Sequence, residues 1–70
     1  MNGEIFVYGK SKTATSAAQA LSKHGYVVGR RDSSFFVGVN AAISVKGRTY
    51  VGDQQVKKIV ARLVMGPEER

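Results

Sequence analysis

Positions 35, 37, 39, 41, 43 and 45 are Phe, Val, Val, Ala, Ile and Val, with Phe36, Gly38, Asn40, Ala42 and Ser44 between them. This period-two alternation predicts a long strand over 35–45 with one buried face. Gly38 marks a candidate bulge, and a break near Asn40-Ala41 would divide the run into two shorter strands. Lys46-Gly47 supplies a tight hairpin turn, after which Arg48-Thr49-Tyr50-Val51 returns as a short strand. Val56, Ile59, Val60, Leu63 and Val64 then recur at helical spacing, with Asp53 placed to cap that helix.

The first half of the chain carries weaker patterns. Glu4-Ile5-Phe6-Val7-Tyr8 is β-branched and aromatic and reads as a strand ending at Gly9. Ala14, Ala17, Ala18 and Leu21 mark one face of a helix ending near His24, a face small enough to pack close to its neighbour. Gly25 is the C′ residue, and Tyr26 to Arg31 forms a second strand ended by the turn residues Asp32-Ser33-Ser34. The element order is β-α-β-β-β-α. The expected fold is a single small α+β domain over 1–65, an antiparallel sheet with two helices on one face. If the helices cover the side bearing Val37, Val39, Ile43 and Val45, the other face stays open. The pattern leaves the pairing partner of the first strand undetermined. Gly66-Pro67 stops the last helix, and 66–70 is expected to be a flexible tail.

Size and charge narrow the classes. Seventy residues are enough for one marginal core, and no apolar run approaches the length of a membrane span. Without an N-terminal secretory pattern a cytoplasmic location is expected. Eleven Lys and Arg stand against five Asp and Glu, for a net charge of +6. With Glu68, Glu69 and Arg70 set aside, residues 1–65 hold ten bases and three acids. The excess is distributed over elements, so it belongs to a folded surface and not to a basic tail.

Catalysis finds little to work with. Cysteine is absent and His24 is the only histidine, which excludes Cys-based and multi-His metal sites within one chain. At the end of a helix His24 suits the dipole. Glu4, Asp32 and Asp53 fall at a strand start, a turn and a helix start, with no spacing that suits acid–base work. Gly9-Lys10-Ser11 matches the end of a phosphate-binding P-loop, but Glu4 stands where that pattern needs its first glycine. A nucleotide-hydrolase reading is therefore rejected. No enzyme activity and no cofactor are expected.

Anion binding is better served. Lys10 and Lys12 flank a helix start, where free N–H groups and Ser11 and Thr13 make a generic phosphate contact, or simply a solvated loop. Arg30 and Arg31 are adjacent in a strand and point to opposite faces, so one emerges on the open face. Lys46 and Arg48 flank the hairpin tip, while Lys57, Lys58 and Arg62 lie on the last helix. Phe36 stands on the polar side of the alternation: it stacks an unpaired base, marks a dimer or partner surface, or packs locally. Phe6 or Tyr8 joins it if strand pairing places them on the same face.

The α-β-β-β-α portion, residues 14–64, has the element order of double-stranded-RNA-binding-like modules. Leu21-Ser22-Lys23-His24-Gly25-Tyr26-Val27-Val28-Gly29-Arg30 and Ser34 resemble the opening of HicA-type toxins. Phe35 occupies the place of that family's catalytic histidine, and Ser33 the place of the glycine before Ser34. The resemblance therefore implies a fold and not RNA cleavage. Lys57-Lys58 also lies about a turn into its helix, whereas the lysine cluster of double-stranded-RNA binders lies at the helix start.

Two functions follow as expectations. One is a basic, non-catalytic module that holds nucleic acid by its phosphates, through Lys10, Lys12, Arg30, Arg31, Lys46, Arg48, Lys57, Lys58 and Arg62. The other is an inhibitor or accessory protein of the kind a virus or mobile element encodes, covering an acidic or nucleic-acid-binding site on a partner. Neither involves a membrane, and a homodimer suits both. Convergence of Arg30, Arg48, Lys58 and Arg62 on one face would favour the first; dispersion would make the charge a solubility feature.

Overall fold

The computed structural model describes residues 4–31 and 39–65. Phe36, Asp32, the proposed strand over 35–38 and the expected tail lie outside these residues. The elements are β1 (Ile5–Tyr8), α1 (Lys12–Lys23), β2 (Val28–Arg31), β3 (Ala42–Val45), β4 (Arg48–Val51) and α2 (Asp53–Met65). This is the α+β architecture and element order expected from the pattern.

The sheet runs β2-β1-β3-β4. β1 pairs in parallel with β2 and antiparallel with β3, and β3 pairs antiparallel with β4. The sheet is thus mixed and not wholly antiparallel. The correction has a simple cause: the β1–β2 connection carries a helix across the sheet, and such a crossover returns the chain in the same direction. The first strand, whose pairing the pattern left undetermined, is an interior strand with a neighbour on each side.

Both helices pack on one face and against each other, α1 over β1 and β2, α2 over β3 and β4. The core joins Ile5 and Val7 of β1, Ile43 of β3, Ala14, Ala17, Ala18 and Leu21 of α1, and Val56 and Ile59 of α2. Alanines on α1 leave the fully buried Leu21, Ile43, Val7 and Val56 as the largest side chains shut off from water among the described residues. A core this lean tolerates no large deletion, because a buried Leu→Ala change costs about 2–5 kcal/mol.

Local chemistry sets the element ends. Ser11 caps α1, its hydroxyl accepting from the Ala14 amide at 3.2 Å. At the other end Gly25 N–H donates to Ser22 O and Tyr26 N–H to Leu21 O, the pair of bonds that defines a Schellman stop. Tyr26 is thereby used in the helix stop, and β2 begins at Val28 and not at Tyr26. The expected cap of α2 shifts by one residue: Val56 N–H donates to Gly52 O, which makes Gly52 the cap and Asp53 the first helical residue. There Asp53 still complements the helix dipole. Among the described residues of the alternating segment, Val39 to Ala41 lie outside the strand expected to include them, which runs from Ala42, although Ala41 and Ile43 keep to the helix-covered face. Lys46 and Gly47 both have positive φ, 52° and 83°, as a two-residue type I′ hairpin requires.

Candidate nucleic-acid interface

The two ends of the sheet differ in chemistry. β1, β2 and β4 all finish at the same end, and both helices begin there; the β3–β4 hairpin turn lies at the opposite end. The carboxyl ends of β1 and β2 are bound tightly to each other. Gly9 N–H donates to Arg31 O at 3.1 Å, and the Arg30 guanidinium donates to Gly9 O at 2.7 Å. Gly9 has φ 105°, and a Cβ there would run into the Asn40 carbonyl. Only glycine lets the chain leave β1 so close to the segment entering β3.

This junction gathers Lys10, Lys12, Arg30 and Arg31. Lys10 follows Gly9 directly, and Lys12 opens α1, whose first turn contains no acid. That leaves the positive end of the helix dipole without a carboxylate on the helix itself. All four bases are exposed. Arg30 and Arg31 do point to opposite faces: Arg30 shares the helix-covered face with Val7, and Arg31 the opposite face with Tyr8. Lys57 joins from the second turn of α2. With Lys12 it flanks a groove of about 420 Å³ between the helices, floored by Ala17, Ala20, Val56 and Val60.

The face opposite the helices, where Ala42 beside Tyr8 is fully buried and so is not left wholly open, holds the other notable contact. In register, Phe6 lies between Gly29 and Ser44, and Tyr8 between Arg31 and Ala42. The Arg31 guanidinium carbon sits over the Phe6 ring, 4.6 Å from its centroid. The same ring lies across Gly29, where a Cβ would come within 2.7 Å of it. Gly29 therefore lets the ring lie flat enough on the sheet to carry a guanidinium above it.

The remaining sequence candidates are placed elsewhere. Lys46 and Arg48 lie at the hairpin end, both exposed. Lys58 and Arg62 are exposed on α2, away from the Val56–Ile59 stripe. Arg30, Arg48, Lys58 and Arg62 thus do not converge, the outcome under which charge spread over these positions is a solubility feature, and the bases that the fold does bring together are those of the Gly9 junction. Phe36 lies outside the described residues. The aromatic the structure brings beside a cation is Phe6, and Gly29, an isolated glycine in a strand, was the signal of a close approach there.

Among the described residues no group of three or more His, Cys, Asp or Glu side chains is placed to hold a metal ion. None of the described helices is long and apolar enough to cross a membrane. Compared with family models, curated proteins and solved structures, the chain matches none.

Proposed function

We propose that this protein is a small non-catalytic module that binds nucleic acid through its phosphates at the junction of β1, β2 and α1. The observation that carries the reading is that the Arg30 guanidinium is held on Gly9 O and the Arg31 guanidinium over Phe6, beside Lys10 and Lys12. A guanidinium already held by the protein loses less freedom on meeting a phosphate than one on a free side chain. The unpaired amides that open α1 add neutral donors to the same place.

Four neutralised phosphates predict a log–log salt slope of about −3. Affinity for a short labelled oligonucleotide should then fall roughly 50- to 150-fold between about 50 and 200 mM salt. The double variant Lys10→Ala/Lys12→Ala should flatten that slope by about 1.5. Absence of binding to DNA and RNA at the lower salt would refute the reading. A partner protein retained from a lysate after nuclease treatment, together with absent oligonucleotide binding, would transfer support to the inhibitor function.

A further inference from the structure

The geometry points to single-stranded nucleic acid, with one unpaired base stacked on the exposed Arg31 guanidinium that lies over Phe6 on the sheet face opposite the helices. This inference rests on the phosphate-binding reading above and specifies its substrate. Phe6 projects from β1, an interior strand, on the face opposite both helices. Its ring is half-buried against Gly29, and the exposed Arg31 guanidinium lies over it. The ring holds the guanidinium in place, so the outer surface of a planar cation is presented to solvent before any ligand arrives. Bases stack on arginine planes as they do on aromatic rings, and the contact tolerates any sequence because every base has a π-face.

Connectivity joins this platform to the phosphate contacts. Arg31 O accepts from Gly9 N–H, so the residue that bears the platform is hydrogen-bonded to the residue before Lys10. A strand whose backbone meets Lys10 and Lys12 has a base within reach of Arg31. Bases stacked and paired inside a duplex have no free face to offer, whereas those of a single strand do.

The test uses the intact protein and three labelled probes of equal length: oligothymidylate, the same backbone with every base removed, and a duplex. Oligothymidylate should bind about tenfold more tightly than the abasic strand, the effect of one stacked base. Arg31→Lys keeps the charge and discards the plane, so it should abolish that difference. Phe6→Leu should also reduce the difference, by freeing the guanidinium. Equal binding of oligothymidylate and abasic strand, or a duplex bound more tightly than either, overturns the stacking inference and leaves phosphate binding intact. Failure to bind all three overturns both. A base preference that survives Arg31→Lys with the fold intact by circular dichroism also overturns it.

Discussion

The Gly9 end and the hairpin end of the sheet both place Lys and Arg beside a positive-φ glycine, yet only one of them is built. At the Gly9 end Arg30 is bonded to the backbone, Arg31 rests on Phe6, and the glycine is hemmed in by the Asn40 carbonyl. At the hairpin end Gly47 has nothing within 4 Å of where a Cβ would stand. Lys46 and Arg48 there are exposed, with no side-chain partner among the described residues. The lesson is that a count of positive charges does not locate a site. Charges become a site where the fold removes their freedom, and here a tight strand exit does that.

The same substitution at the two glycines should separate the ends most strongly. Gly9→Ala combines positive φ with a clash against backbone, and should cost about 3–5 kcal/mol. That approaches the whole stability of a small domain. Gly47→Ala meets only the left-handed backbone penalty, about 1 kcal/mol, and should lower the Tm by roughly 4–8 °C. Thermal melts of the pair measure this. Equal, small losses would mean the strand exit is looser than its geometry shows.

Smaller effects should distinguish how each end is fastened. Ser11→Ala removes the α1 cap at the Gly9 end and should cost about 1 kcal/mol. Because α1 begins inside the proposed site, the loss should appear in oligonucleotide affinity as well as in denaturant melts. Tyr26→Phe removes the hydroxyl that donates to Leu63 O at 3.0 Å, a tie between the far ends of the helices. It should cost about 0.5–1.5 kcal/mol and leave affinity unaltered. An affinity loss in Tyr26→Phe equal to that in Ser11→Ala would erase the distinction between the ends.

Much of this architecture was legible in the chain. Period-two and helical spacing mark elements by which side chains must leave water, so β4, α2 and the tight turn at Lys46-Gly47 could be read directly, whereas β3 was read within a strand that also took in Val39 to Ala41. The parallel pairing of β1 with β2 was less accessible, because pairing depends on which edges meet and four-residue strands hold little register information. The cap of α2 was misplaced because Asp53 is a good capping residue and Gly52, which caps by its backbone, leaves little trace in composition.

The candidate site was legible as residues and not as an arrangement. Lys10, Lys12, Arg30 and Arg31 stand out as bases, but nothing in their spacing shows that Arg30 turns back to Gly9. The partner of Arg31 depends on the register that sets Phe6 opposite Gly29, a tertiary fact. Lys46, Arg48, Lys58 and Arg62 have the same chemistry and were equal candidates until the topology separated them.

That separation is tested most directly by reversing charge at each end in turn. Lys10→Glu/Lys12→Glu and Lys46→Glu/Arg48→Glu change net charge identically, so any effect of overall charge is common to both. Measured with the same labelled single strand at about 100 mM salt, the first pair should lose at least about tenfold in affinity and flatten the salt slope. The second should stay within about threefold of the unmodified protein. Equal losses from the two pairs would contradict the account, because they would mean that the whole basic surface, and not the Gly9 junction, attracts the ligand.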